Sequence, residues 1–349
     1  MNATSKPTPD VPRPQLLGHR HFRLLGSALG PFLGLLLVLV VFWAADTYRA
    51  SRLDREGRFA TVEGMQTVLR NTSAVGTAAL GMTIIIIAGG IDLSAGTAIA
   101  LCATVTAYCF RAGYAAPVGV LAGLMTGCVT GFVNGSLISV LRVVPFIITL
   151  GTMTLFRGTG RIIAGDTPIR AHESVPDWML TLQDPFPEPE WLLVSPGVWL
   201  MLVLALLVGC LLNYTVFGRH AFALGSNEAT ARLCGINVNR TRIAVYTIAG
   251  IFVGVAGLFQ FALLYGEGDP AAGTGKELEI IAAVVIGGGS LSGGRGSVLG
   301  TISGAAIMAV IQHGCVILSI PDSFQEIIIG VIIVAAVTLD QFRQRRLVG

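Results

Sequence analysis

Apolar residues in this chain gather into long runs separated by short polar stretches. Ten such runs can be traced, near 29–46, 67–89, 94–112, 116–141, 145–165, 195–216, 242–265, 278–289, 297–318 and 322–340. Most approach the roughly 20 residues that a helix needs to cross about 30 Å of hydrocarbon. The eighth is short and lies between GEGDPAAGTGKE and GGGSLSGGRG, the pattern of a half-helix or re-entrant segment. Non-helical backbone at membrane depth survives only where protein or a water-lined cavity satisfies its polar groups. The pattern predicts an all-α polytopic integral membrane protein with about eight to ten spans, some broken or re-entrant.

Composition supports this. Of 349 residues, 53% are hydrophobic and 12% charged, against about 25% charged in an average soluble domain. The 44 glycines suit helices that pack through small residues. A net charge of +3 is too small to suggest a nucleic-acid partner. The six cysteines include no C-x-x-C pair, and five lie within apolar runs, so they read as small hydrophobes. The few histidines are scattered, and no metal site is expected. Residues 1–28 are polar, contain prolines and end in His19, Arg20, His21 and Arg23. They read as a cytoplasmic tail before a retained first helix, since the following run lacks a small-residue cleavage pattern.

Lys/Arg bias gives orientation. Arg343, Arg345 and Arg346 mark 343–349 as a cytoplasmic tail, after a membrane domain spanning 29–342. Arg219, Arg232, Arg240 and Arg242 place loop 218–240 on the same side. Alternation then puts the N-terminus inside and loop 166–194, with its tryptophans and prolines, outside. Trp178, Trp191 and Trp199 read as interface anchors. Loop 47–66 also falls outside by this count, although Arg49, Arg52, Arg55 and Arg58 argue for the opposite side.

Two patterns concern internal organisation. GGIDLSAG (89–96) and GGGSLSGG (287–294) share the form GG-x-[DS]-LS-x-G. Each follows an Ile/Val-rich run and precedes another helix, which reads as a weak internal duplication; chance likeness between Gly/Ser-rich turns is the alternative. Glycines also recur at every fourth position, Gly119, Gly123, Gly127, Gly131 and Gly135. They strip one helix face of side chains, so that another backbone can approach closely.

Enzyme signatures are weak. GTGKE (273–277) superficially resembles a phosphate-binding loop, but Pro270 stands where the first Gly belongs and Glu277 where Ser/Thr would hold magnesium. Polar residues inside apolar runs are more informative, because they are costly there. Asp92, Ser94, Asn134, Thr149 and Arg157 are the pathway candidates. Asp92 also reads as a helix N-cap, Asn134 as a packing hydrogen bond, and Arg157 as a snorkelling side chain. Loop 218–240 contains ATARLCGI, a short helix stopping at Gly235. A surface helix between two spans has nothing of its own to bury against, which suggests a docked partner.

NEATARLCGINVNR and AGTGKELEIIAAVVIGGGSLSGGRGSVLGT closely resemble the permease subunits of ribose-, xylose- and galactose-type ABC importers, as do GMTIIIIAGGIDLSAGT and PFIITLGTMTLFRG. The resemblance covers roughly 65–342. It implies a pair of permeases (a second copy or a paralogue) in membrane lipid, two cytoplasmic ATPases that use ATP and magnesium, and a periplasmic sugar-binding protein. It also implies that this chain binds no cofactor and is not itself an enzyme, and that alternating access carries a pentose or hexose across the bacterial inner membrane. Glu228, Ala229 and Gly235 fall on the family's ATPase-coupling pattern, with Arg232 and Ile236 as further contacts. Two departures stand out: the Gly is one residue further than in the commonest form, and GGGSLSGG replaces GGTSLAGG. The alternative is a secondary, ion-coupled transporter using Asp92, which leaves the coupling-loop resemblance unexplained. A membrane enzyme would need a clustered site that the dispersed histidines do not offer.

Overall fold

The computed structural model describes residues 18–187 and 189–348. Its helices are α1 (Gly18–Arg52), α2 (Val62–Ile87), α3 (Ala95–Arg111), α4 (Ala116–Leu141), α5 (Pro145–Ala164), α6 (Asp177–Leu180), α7 (Pro196–Tyr214), α8 (Val216–Ser226), α9 (Glu228–Leu233), α10 (Val238–Leu263), α11 (Lys276–Ile286), α12 (Val298–Ile317) and α13 (Asp322–Val348). Ten of these occupy the ten apolar runs. Six, namely α1 from Gly30 onward, α2, α4, α7, α10 and α12, are long and apolar enough to cross a membrane. The all-α polytopic architecture is therefore as the sequence predicts. The helical ends extend further, since α1 starts at Gly18 and α13 runs to Val348. Of the expected tails, residues 1–17 and 349 lie outside the described residues.

Local chemistry sets the helix boundaries. Proline occupies the first turn of α4, α5 and α7, where its missing N–H costs nothing. Thr61, Asn227, Asn237 and Ser297 cap α2, α9, α10 and α12 with side-chain oxygens.

Contacts between helices fix their directions. Thr83 and Thr301 lie 2.6 Å apart through their hydroxyls, and Gly76 faces Ala305, so α2 and α12 are antiparallel. Gly287 abuts Gly300 and Ala283 abuts Gly304, which makes α11 antiparallel to α12 and hence parallel to α2. The two GG-x-[DS]-LS-x-G turns therefore close two down-and-back units of the same sense. They meet at one point, where Gly294 N donates to Ile87 O at 2.9 Å and a Cβ on Gly293 would lie 2.9 Å from Gly89 Cα. The weak sequence duplication thus has a spatial counterpart, the arrangement of parallel repeats.

The glycine-striped α4 lies along α10. Gly127 faces Gly250 and Gly254, Gly131 faces the Tyr246 carbonyl, and Gly135 faces Ile243 Cα. At the upper end Gly123 meets Thr106, and Gly119 meets the Phe110 ring. From Gly127 to Gly135 the backbones of α4 and α10 touch directly, and α10 forms the buried spine of the bundle.

Loop 47–66 lies at the same end as loop 166–194. Gln66 Nε2 donates to Leu193 O at 2.8 Å. The two-residue strand β1 (Ile169–Arg170) pairs antiparallel with β2 (Glu267–Gly268) at that end. The arginines there have local tasks: Arg49 donates to Leu318 O, and Arg52 lies 5.3 Å over the Tyr48 ring. Buried Asp46 accepts from the amides of Arg58 and Phe59. Helix directions, rather than arginine count, set the side of this loop.

Overpacking a filled site costs about 1–3 kcal/mol. Gly127→Ala places a methyl against the α10 backbone and is expected to lower the thermal unfolding midpoint of the detergent-solubilised protein. Gly151→Ala, with open space around its Cα, is expected to hold or raise it, because Ala is better than Gly in a helix by about 1 kcal/mol. A scanning fluorimetry comparison of the two variants tests the stripe.

Candidate functional site

Four of the five predicted pathway residues come together at the turn between α2 and α3. Asp92 Oδ1 accepts from Ser94 N at 2.8 Å and from Ser94 Oγ at 2.6 Å. Ser94, not Asp92, is the N-cap of α3, so the aspartate holds the turn two residues ahead of the helix. Asn134 Nδ2 donates to Ser94 Oγ at 2.8 Å, with longer 3.4 Å approaches to both Asp92 oxygens. Thr152 donates to Asn134 Oδ1 at 2.6 Å. Thr149 and Tyr246 reach the Ile91 carbonyl from α5 and α10, at 3.4 and 3.3 Å. Asp92 is 6% exposed and Asn134 1%.

This knot ties the α2–α3 turn to α4, α5 and α10. Tyr246 places it about 12 Å along α10 from its loop end, at 1.5 Å per residue, so the turn lies inside the bundle. Nearly every polar group has a partner, which suits an anchor for irregular backbone. Thr152 and Tyr246 escape a sequence reading because hydroxyls in apolar helices usually bond their own preceding turn. Arg157 stands apart from the knot, half-buried with an unpartnered Nε. It is one turn before Gly160, which faces Pro270.

Pro270 belongs to a second polar region. After α10 and β2 the chain turns back into the bundle as 269–275, where Gly273 abuts Gly96 and Ala100. Helix α11 begins there with Lys276, Glu277 and Glu279. Lys276 Nζ donates to Gln260 Oε1 at 2.6 Å. Glu277 is 7% exposed, and its Oε2 has no partner. The sequence carries a signal for this region, three charges at the head of a short span, within a string whose likeness to a phosphate loop is superficial. Among the described residues, no group of three or more His, Cys, Asp or Glu is placed to hold a metal.

The third region is loop 218–240. Thr215 caps α8 by accepting from Gly218 N, and Asn227 then breaks the chain direction and caps α9 through Thr230 N at 2.9 Å. Ala231 is buried and anchors α9, while Glu228, Ala229, Arg232 and Gly235 are exposed and Ile236 half-buried. Leu233 projects furthest, 89% exposed. Gly235 takes φ +83°, a left-handed stop that only glycine adopts freely. Glu228 bridges Arg232 at 3.0 Å and Arg242 at 2.8 Å, joining α9 to the first turns of α10. Partial burial pushes the Glu228 carboxyl up, but Arg242 and Arg232 together outweigh it and hold it below the usual carboxylate value. At the end of α8, Gly225 is wedged against the Ile87 carbonyl, Gly294 N and Gly293. The loop that presents α9 therefore touches both re-entrant turns.

The chain is similar to known transport proteins over most of its length. The family described as branched-chain amino acid transport system / permease component matches residues 64–337. The ribose import permease protein RbsC of Escherichia coli K12 is 37% identical over 290 residues, covering 82% of this chain and 88% of the relative. The fructose import permease protein FrcC of Rhizobium meliloti is 32% identical over 325 residues, covering 93% and 88%. The xylose transport system permease protein XylH of E. coli K12 is 33% identical over 346 residues, covering 83% and 88%. No solved structure matches the chain.

Removing one partner of a buried hydrogen bond costs about 1–3 kcal/mol. Thr152→Val strips Asn134 Oδ1 of its donor and is expected to destabilise the purified protein by that amount, read as a lowered unfolding midpoint. Thr152→Ser, which restores the hydroxyl, is expected to recover most of the loss. Equal midpoints for Val and Ser would remove the knot's structural role.

Proposed function

This chain belongs to the family of ABC-importer permease components, and from that premise we propose that it moves a monosaccharide of the pentose or hexose class across the bacterial inner membrane. The family's own description names amino acids, but several relatives aligned over most of the chain are named for ribose, fructose and xylose, beside one named for autoinducer 2. ATP and magnesium are handled by separate cytoplasmic ATPase subunits, a periplasmic binding protein delivers the sugar, and a second permease copy or a paralogue completes the membrane unit. This chain contributes no catalysis and holds no cofactor.

The observation that carries the reading is the connection from α9 to the re-entrant turns. Exposed α9 offers Glu228, Ala229, Arg232, Leu233 and Gly235 to a partner, and Ile236 seats its exit. Displacement of α9 acts on α10 through the Glu228–Arg242 pair and on both turns through Gly225. Docking of an ATPase on α9 thereby moves both repeats at once, as alternating access requires. Asp92 is a poor carrier for ion coupling, since its Oδ1 holds the turn through two bonds and its Oδ2 faces Asn134 in a buried site.

Two measurements test this. Tagged permease extracted gently from native membranes is expected to co-purify with an ABC ATPase. Gly235→Trp, strained at a positive φ and bulky at the docking surface, is expected to lose the ATPase while remaining monodisperse. A wild-type preparation free of ATPase, under conditions that preserve other ABC complexes, would overturn the coupling role. In proteoliposomes holding the whole complex, labelled ribose, xylose and fructose are offered beside leucine. Uptake of leucine alone would overturn the sugar class.

A further inference from the structure

The segment 269–275 is non-helical, yet Gly273 packs on Gly96 in the first turn of α3. At 1.5 Å per residue, that contact lies about 20 Å along α3 from its far end. Irregular backbone is thus carried deep into the bundle. One side of it is uncovered: Ala271 and Thr274 are exposed, and Leu278 on the next turn is 49% exposed. Helix α13 packs on α11, and α5 reaches the segment where Gly160 faces Pro270. The uncovered face is thus a floor of irregular backbone and the first turns of α11.

Hydrocarbon does not suit that floor. Lipid-exposed irregular backbone is not tolerated within a bilayer, and a charge at its centre is costly. Yet Lys276 and Glu279 stand half-buried at the edge of this face, with Glu277 behind them. None of the three lies in a close ion pair among the described residues, although Lys276 and Glu279 attract each other and Gln312 hydrogen-bonds Glu279. The ammonium of Lys276, with three N–H donors, has one acceptor, Gln260. Beside it, a small cavity is lined by Val75, Ile99, Ala256 and Ile280 as well as Lys276 and Gln260. Glu277 Oε2 is a buried acceptor with no donor. Within one turn at the N-terminus of a half-helix the region holds spare donor capacity at Lys276 and spare acceptor capacity at the carboxylates. A hydroxyl group, donor and acceptor at once, satisfies both kinds, whereas an anion or a cation would satisfy one and repel the other.

We propose that the exposed face of 271–279 lines the solute pathway, and that Lys276 and Glu279, half-buried beside it, are its contact groups for a neutral polyhydroxylated solute, with buried Glu277 behind them. This rests on the permease reading above. Half-helix termini at membrane depth are where many transporters place their substrate and ion sites.

The test is labelling of the assembled complex in proteoliposomes. Thr274→Cys and Leu278→Cys are introduced separately, with Leu206→Cys on the exposed face of α7 as the lipid-facing control and the unsubstituted chain as background. The probe is a charged, membrane-impermeant methanethiosulfonate. Expected are at least tenfold faster modification of the two pathway positions than of the control, a rate that changes when nucleotide is added, and loss of uptake on modification. Either position alone suffices should the other fail to assemble. Slow modification of both by the charged reagent, with ready reaction toward a lipophilic maleimide, would place this face against lipid and overturn the proposal. Fast modification without loss of uptake, or protection relieved only when a second permease copy dissociates, would overturn it too. A complex that couples ATP hydrolysis to uptake but fails the labelling test loses only this inference. A chain that never assembles with an ATPase loses the function, and labelling still reports whether the face is wet. With the transported sugar in hand, Glu279→Gln and Lys276→Met are expected to change the ratio of rates among ribose, xylose and fructose by fivefold or more. A uniform loss across the three sugars would assign these residues to packing.

Discussion

Inside a bilayer, backbone that leaves the helix must find its hydrogen-bond partners within the protein, and three stretches of this chain do so. The turn 88–94 gives its Ile91 carbonyl to Thr149 and Tyr246 and its Ser94 amide to Asp92. The turn 287–297 sends Gly294 N to Ile87 O. The descent 264–275 uses β-pairing at its start and Asp269 at Ala271 N, 2.8 Å away. Each solution brings distant elements together, so satisfying the backbone also determines which helices touch. Without this constraint α11 would have no reason to be half the length of its neighbours.

The same constraint explains why glycine is concentrated where it is. Two turns and the end of α8 converge at Gly89, Gly225, Gly293 and Gly294. A methyl at Gly225 would occupy the space of the Ile87 carbonyl. Gly293 and Gly294 also take φ of +84° and +71°, so neither steric room nor backbone conformation favours another residue there. The α4–α10 contact uses glycine differently. Both partners are regular helices, and the gain is dispersion between closely apposed backbones, which replaces the hydrophobic drive that lipid cannot supply. One set of glycines permits a junction of loops; the other builds a spine against which the junction can move.

Much of this was legible in the sequence, for physical reasons that differ from element to element. The spans were readable because hydrocarbon thickness sets helix length, and the α4 stripe because a period of four puts Gly119 to Gly135 on one face. Asp92, Ser94, Asn134 and Thr149 stood out as polar residues in costly places, and the structure brings them into one knot. Their partners Thr152 and Tyr246 were hidden, since a hydroxyl in a helix reveals no long-range partner. The convergence of GGIDLSAG and GGGSLSGG with Gly225 was equally hidden, because likeness between two turns says nothing about their distance. The charges at Lys276, Glu277 and Glu279 were visible, but their depth depends on the re-entrant path of 264–275, which composition does not specify.

The two polar regions flank the start of α3, at Ser94 and at Gly96, and differ in how far their groups are satisfied. Around Ser94, four elements contribute donors and acceptors that pair almost completely, and a fully paired network in a low-dielectric interior is rigid. Around Gly96, Glu277 Oε2 is unpaired and Lys276 has donors to spare. Leaving such groups unmet is costly in any interior, and a membrane protein has no stability reason to do so one turn away from a region where it has paired nearly all of them. The contrast assigns different tasks to the two sites. The satisfied one holds the turn through which α3, α4, α5 and α10 act as a unit. The unsatisfied one keeps hydrogen-bonding capacity in reserve for a molecule that is not part of the chain.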